Sequence, residues 1–357
     1  MKKLCILFLL PLFLFSCTQE KQNTIKGQIE GLKVGDRIVL AVEDPEGSLY
    51  IPVDSTTVTK DGAFTLKTRA TDTYVKLFLV KSGEEFKPGN TQAPMRFLEG
   101  YATLNIKGNI DDWHYTKTVG GIYSHQDIKE IYIIIDSARA LQKEAIDIMK
   151  EGREKSDKDI TAQGMDLLQK SRQISKGADT LEQAFLKSNP DAAYSAALLR
   201  YDYDTMEDFD KYESIFNSFT PRVQATPAGV LVKNYINNVR ASEVGAVAPD
   251  FSLAALNGNE VTLSKYKGKY VLLDFWGSWC GPCRQSSPKL VELYGILKDS
   301  NADIEFIGIA CSEKSDDNWK TAIEEDNLSW THLNDSHSAK GKSIQKLYAV
   351  LGVPTCV

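Results

Sequence analysis

The sequence predicts a multi-domain chain: an N-terminal antiparallel β-sandwich-like domain, a helical middle segment and a C-terminal α/β domain. Three observations carry this expectation. At 357 residues the chain exceeds what one hydrophobic core ordinarily organises. Its apolar residues recur first at the spacing of strands, then at that of helices, then as strands alternating with helices. The one long apolar run lies at the very start, and no later stretch has the length of a membrane span.

Residues 1–17 read as an export signal. Met1-Lys2-Lys3 supplies a basic head, and "LCILFLLPLFLF" follows as an apolar stretch short for a transmembrane helix. Leu14-Phe15-Ser16-Cys17 resembles the lipobox of bacterial lipoproteins, which implies cleavage before Cys17 and lipidation of its thiol. The alternative is an ordinary signal peptide in which Cys17 is incidental. The resemblance implies a protein of the cell envelope that faces the periplasm and meets the membrane through its lipid alone. Thr18 after Cys17 is compatible with an outer-membrane destination. Residues 18–23, "TQEKQN", form a polar tether. Loss of Lys2 and Lys3 takes the formal charge from −6 to −8, which argues against a nucleic-acid partner.

Residues 24–119 read as a small all-β domain. "TIKGQIEG", "RIVLAVED", "SLYIPVDSTTV", "AFTLKTRA", "YVKLFLVKSG" and "MRFLEGYATLNIKG" are six alternating or β-branched runs, punctuated by turn signals such as Asp61-Gly62. So many short runs predict an antiparallel sandwich. Asp54, Ser55 and His114 stand without catalytic partners and read as surface and turn residues.

Residues 120–243 read as a helical spacer or scaffold. Ile128, Ile131, Ile135, Ala138, Ala145 and Met149 recur at three- and four-residue intervals, and Gln142 falls on the same stripe. Such a stripe serves either a coiled-coil dimer or packing within its own chain, and its shortness favours the second. Asn189-Pro190-Asp191 predicts a loop and cap before the next helix.

Residues 244–357 alternate strand and helix. Asn257-Gly258 is a hairpin signal. "YVLLDFW" is a nearly continuous apolar run, as a central strand requires. "CGPCRQSSPKLVELYGILKDS" then presents Leu290, Leu293, Tyr294 and Leu297 on one helical face. The strand "DIEFIGIAC", the helix "SDDNWKTAIEED", the strand "LSWTHL" and the helix "KSIQKLYAVLG" follow, predicting a parallel or mixed sheet covered on both faces.

The chemistry concentrates where strand meets helix, at Cys280 and Cys283. A cysteine in the first turn of a helix sits at the positive end of the dipole, beside N–H groups lacking intrahelical partners, and this favours thiolate. Cys280 is therefore expected to attack, and the more deeply placed Cys283 to resolve a mixed disulfide. Gly281 and Pro282 form the link, and Pro282 has no N–H to leave unsatisfied. The residues alone leave three readings open: a redox dithiol, a structural disulfide, or half of a zinc site completed from Cys311, Cys356, His332 and His337. No second closely spaced pair supports zinc, and a bridge closing so short a loop constrains the unfolded chain little. Cys311 and Cys356 read as small core side chains.

Trp279-Cys280-Gly281-Pro282-Cys283 resembles the active-site motif of the thioredoxin superfamily. The resemblance implies a C-terminal thioredoxin-like fold and further roles. Asp274, inside the apolar strand, matches the buried acid that relays the proton of the resolving cysteine. Pro288 matches the proline inside the active-site helix. Val353-Pro354-Thr355 matches the cis-proline loop that lines the substrate groove. Ala248 to Phe251, "APDF", and the added helix around Trp319 look like the envelope-anchored thiol-disulfide reductase branch, TlpA/ResA-like, with an AhpC/TSA-type domain. The segments ahead of residue 244 look like those accompanying this domain in Gram-negative lipoproteins. The implied activity is reduction of protein disulfides without metal or organic cofactor, supplied by an upstream electron donor of the membrane or periplasm. Two alternatives compete. A peroxiredoxin-like thiol peroxidase calls for threonine or serine three residues before the attacking cysteine, where Gly277 stands; a non-enzymatic binding module would retain the fold alone. The chain stops at Val357, before the closing strand and helix of such a fold, so the sequence is expected to be a C-terminally incomplete piece.

Overall fold

The computed structural model describes residues 21–44, 49–87, 93–202, 208–339 and 341–357. The signal at 1–17, Cys17 and the first part of the tether lie outside these residues. Among the described residues no helix is long and apolar enough to cross a membrane. The described chain forms two compact units, one of residues 21–44, 49–188 and 192–194, the other of 189–191 and 195–357.

The first unit begins with eight strands: β1 (Asn23–Glu30), β2 (Arg37–Glu43), β3 (Tyr50–Thr57), β4 (Ala63–Thr68), β5 (Thr73–Val80), β6 (Met95–Leu98), β7 (Thr103–Asn109) and β8 (Lys117–Val119). They form two four-stranded sheets, ordered β4-β1-β7-β8 and β3-β2-β5-β6. The last run read from the sequence is two strands, β6 and β7, divided by a turn at Gly100, and each joins a different sheet. The expected antiparallel sandwich needs one correction, because β1 and β7 pair in parallel. After β6 the chain leaves one sheet and re-enters the other beside β1, running in the same direction as its neighbour. Alternation is clean in β1 and β4, where every second residue is buried. In β2 and β5 both faces are buried, since Tyr50, Phe86 and Ala93 cover Val39, Ala41, Phe78 and Val80 on one side. Asp54, read as a surface residue, accepts hydrogen bonds from the Ser55 and Lys67 amides.

Two long helices complete this unit, α1 (Gln126–Glu154) and α2 (Lys158–Ser188). Asp157 caps α2, its Oδ1 accepting from the Asp159 and Ile160 amides. The stripe of α1 is spent inside its own chain: Ile128, Ile131, Ala138 and Ala145 are buried. Close approach to α2 depends on small residues. A Cβ on Gly164 would collide with Met149 and the Ala145 carbonyl, and Ser171 Oγ donates to the Ala138 carbonyl at 2.7 Å. Gln142 is exposed despite its place in the stripe. The segment 120–243 divides between the two units rather than forming one of its own.

The second unit takes up the chain within α3 (Ala193–Leu199) and continues through α4 (Phe209–Ser218), α5 (Pro221–Gln224) and α6 (Pro227–Ala241). Thr226 caps α6 by accepting from the Gly229 amide at 3.1 Å, with Pro227 at the first helical position. The α/β part then runs β9 (Ser252–Ala254), β10 (Glu260–Thr262), β11 (Tyr270–Trp276), α7 (Gly281–Asp299), β12 (Ile304–Ala310), α8 (Asp316–Glu325), β13 (Thr331–Asn334), α9 (Ile344–Leu347) and β14 (Thr355–Cys356). β9 and β10 form the hairpin read from Asn257-Gly258, with Gly258 in the left-handed region at φ +83. The main sheet is mixed, in the order β13-β12-β11-β14, with β14 antiparallel to β11. One face packs on Phe251, Val261, Ile344 and Tyr348, the other beneath α7 and α8 with Trp276, Phe306, Trp319 and Trp330. The helix read across "KSIQKLYAVLG" is a single turn, α9, followed by Ala349 at φ +51.

Candidate active site

Cys280 is the N-cap of α7, in extended conformation at φ −88 and ψ 99, and its Sγ accepts the Cys283 amide at 3.2 Å. One N–H of the first turn, that of Cys283, thus points at the Cys280 sulfur. Cys280 and Cys283 are joined as a disulfide, S–S 2.05 Å. Cys283 and Cys280 are buried to nearly the same degree, 3 % and 4 % exposed, while Gly281 and Pro282 between them are exposed. Pro288 lies inside α7. Immediately ahead of it, the Ser286 and Ser287 hydroxyls donate to the Cys283 carbonyl at 2.8 and 3.1 Å.

The loop before Cys280 is braced from the end of β12. Trp279 is 58 % exposed, but its Nε1 donates to the Cys311 carbonyl at 3.0 Å. Gly277 is required there, because a Cβ would lie 2.7 Å from that nitrogen. The Ser278 amide and hydroxyl both donate to the Glu313 carboxylate at 2.6 Å. This Ser278–Glu313 pair was not legible in the sequence, where an acid 35 residues downstream carries no spacing signal. Arg284, next to Cys283, is likewise fixed by a bidentate pair with Asp326 and a contact to Glu325 at 2.9 Å.

On the other side stands the loop of Val353, Pro354 and Thr355, with a cis bond between Val353 and Pro354. The Val353 carbonyl oxygen lies 3.8 Å from Cys280 Sγ. Thr355 Oγ1 donates to the Gly352 carbonyl at 2.7 Å. The loop is anchored through α9, whose start is held by Asp335. The Asp335 carboxylate accepts from the Ile344 and Gln345 amides and from the Ser338 and Ser343 hydroxyls, at 2.7 to 3.1 Å. The "APDF" residues support the same end of the domain: Phe251 is buried in the core, and Tyr348 donates to the Pro249 carbonyl at 2.7 Å.

Asp274 is 5 % exposed, and burial pushes its carboxyl up to about 6. Cys356 Sγ is 3.8 Å from Asp274 Oδ1. This corrects the reading of Cys356 as a core side chain: it is exposed, and its pairing opposite Asp274 turns it toward the acid. Cys311 is a buried thiol as expected, pushed up to about 12 by burial. The zinc alternative finds no ligand set here. Cys311 belongs to the opposite face of the sheet, His337 Nε2 lies 3.0 Å from Asp316, and His332 sits in the apolar layer under α7 and α8. Among the described residues no three His, Cys, Asp or Glu side chains gather as a metal site.

A helix-capping cysteine bonded to a second one turn on, a buried acid beneath and a cis-proline loop opposite define a thioredoxin-like dithiol-disulfide centre. The AhpC/TSA family model matches residues 244–355. A thiol-disulfide oxidoreductase ResA of Bacillus cereus is 34 % identical over 125 residues, covering 35 % of this chain and 68 % of that protein. A ResA of Geobacillus kaustophilus is 46 % identical over 71 residues, and there the match spans 41 % of the relative's length. Among solved structures, the thioredoxin domain of a thiol-disulfide oxidoreductase from Bacteroides vulgatus is 34 % identical, covers 32 % of this chain and 79 % of that one, and has a TM-score of 0.28. The chain belongs to the ResA-like thiol-disulfide oxidoreductases of thioredoxin-like fold.

Proposed function

We propose that the protein reduces protein disulfides through Cys280 and Cys283 in the cell envelope, facing the periplasm and held there by a lipid on Cys17. The single observation that carries the chemistry is Cys280 at the head of α7, receiving the Cys283 amide and facing the Val353 carbonyl. The Cys280 thiolate attacks one sulfur of a substrate disulfide, forming a mixed disulfide and releasing the other substrate sulfur as thiolate. Cys283 gives its proton to Asp274 and attacks Cys280 Sγ, forming the Cys280–Cys283 bond and releasing the second substrate thiolate. The substrate takes up two electrons, and a dithiol donor must return the enzyme to its reduced form. Trp279, Gly281, Pro282 and Pro288 shape the site, and Val353, Pro354 and Thr355 line the groove where an extended substrate strand docks.

The direction rests on the Gly281-Pro282 dipeptide shared with thioredoxin, whose potential lies near −270 mV, against about −120 mV for the strong periplasmic oxidant. Titration of the Cys280–Cys283 pair in a graded thiol-disulfide buffer, with Cys280→Ser as control, is expected to show one two-electron transition near the lower value. A midpoint near the upper value reverses the direction, and no transition in a folded chain removes the redox reading. The anchor is supported by Leu14-Phe15-Ser16-Cys17 behind a basic head and apolar run. Palmitate labelling of the full chain in a Gram-negative host is expected to be lost in Cys17→Ala; labelling that persists overturns the anchor.

A further inference from the structure

Asp274 belongs to a row of residues that crosses the whole sheet. The register sets His332 of β13 opposite Gly308 of β12, Gly308 opposite Asp274 of β11, and Asp274 opposite Cys356 of β14. Directly paired residues project from one face, here the face under α7 that holds the disulfide. Gly308 brings no side chain, and the imidazole occupies the space above it. A Cβ at 308 would collide with His332 Nδ1, and would lie 2.7 Å from Cε1 and 3.2 Å from Trp276 Nε1. The ring therefore reaches over β12 toward Asp274, whose strand is about 10 Å from β13.

His332 is 3 % exposed, and burial pushes its imidazole down to about 4, so it is neutral at pH 7. Its Nε2 lies 3.3 Å from the Leu328 carbonyl, to which only an N–H can bond. Nε2 thus carries the proton, and Nδ1 is a lone-pair acceptor. Among the described residues that acceptor has no partner, nor has the buried Trp276 Nε1–H beside it. An orphaned donor and an orphaned acceptor thus lie beside Gly308, the residue paired with Asp274.

We propose that His332 is a positioning residue for Asp274: with Trp276 it holds one water beside Gly308, between His332 Nδ1 and Trp276 Nε1, and this water and the Cys356 thiol solvate the Asp274 carboxylate. The water accepts from Trp276 Nε1–H and donates to His332 Nδ1 and to Asp274, three partners for a buried water. From β14 the Cys356 S–H donates to Oδ1. Its own titration is pushed up to about 11 by burial and by Asp274, so it remains a donor at neutral pH. The titratable groups facing this layer are Cys356 from β14, Cys280, Cys283 and Tyr294 from the start and body of α7 and His332 from β13, while α8 brings Trp319, Ala322 and Ile323. The catalytic meaning of the array rests on Asp274 being the proton acceptor proposed above.

The test follows the Asp274 carboxyl ¹³C resonance in the reduced chain from pH 4 to 9, assigned by Asp274→Asn. His332→Leu, Gly308→Ala and Cys356→Ala each remove solvation of the charged form, and each is expected to raise the midpoint by roughly half to one pH unit. Cys356→Ser and His332→Gln, which keep a donor and an acceptor, are expected to hold it near the native value. A midpoint unmoved in His332→Leu and Gly308→Ala overturns the proposal. Should those variants fail to fold, ¹⁵N-histidine spectra of the native chain decide: the Nε2-protonated tautomer with a hydrogen-bonded Nδ1 is expected, and an Nδ1-protonated ring overturns it. Failure of the parent reading looks different, since Asp274→Asn would then leave the rate of disulfide exchange and its pH profile unchanged while the midpoint measurements stand.

Discussion

Replacing Cys280 by serine is expected to abolish turnover, lowering disulfide exchange by on the order of a thousandfold or more. A serine hydroxyl does not ionise at the head of α7 as a thiol does, so the N–H groups that favour thiolate there have no anion to stabilise. The partner variant has a different signature. In Cys283→Ser the attack by Cys280 proceeds and resolution does not, so a mixed disulfide with a model substrate protein accumulates on a non-reducing gel. Equal trapping by Cys280→Ser and Cys283→Ser would reverse the assignment of roles. The Cys283 amide bonded to Cys280 Sγ, with no counterpart bond to Cys283 Sγ among the described contacts, is what distinguishes the two sulfurs.

Asp274→Asn is expected to stabilise the folded chain above neutral pH and to impair it as an enzyme. The carboxyl rises from 3.8 to about 6, chiefly through burial, with the Cys356 hydrogen bond opposing. Between those values the unfolded chain is ionised at this position and the folded chain still holds the proton, so stability falls as pH rises through the window and is level above it. The shift corresponds to about 3 kcal/mol at 1.36 kcal/mol per pH unit. Urea unfolding of Asp274→Asn against native protein is therefore expected to show a gain of about that size at pH 8 and little difference below pH 4. A flat difference across pH would mean that the acid titrates as an ordinary carboxyl. Disulfide exchange by the same variant at pH 7 is expected to slow by on the order of tenfold or more, since Cys283 loses its proton acceptor.

A buried acid with a raised pKa is what the proposed proton transfer requires, and the strand around it shows how it is placed. Leu273 and Phe275 point into the core on one face, while Asp274 and Trp276 point under α7 on the other. In the sequence this strand was one apolar run interrupted by a single acid, which sufficed to mark Asp274 but not its partners. The partners arrive from β14, 82 residues away in sequence, and from β13, 58 residues away.

The sequence by itself determined what depends on neighbours along the chain. Cys280 before a helix start, Pro282 in its first turn, the Asn257-Gly258 hairpin and the alternation of β1 and β4 follow from dihedral preference, capping and periodicity, all of which act over a few residues. The motif from Trp279 to Cys283 was legible for the same reason. Only the tertiary structure decided the parallel pairing of β1 with β7, the division of the helical segment between two units, the exposure of Cys356, and the braces of Ser278 on Glu313 and Ile344 on Asp335. Each is a meeting of residues distant in sequence, fixed by sheet register and by the requirement that buried polar groups find partners. Neither constraint leaves a local pattern, because the partner that satisfies a buried group is chosen by the fold.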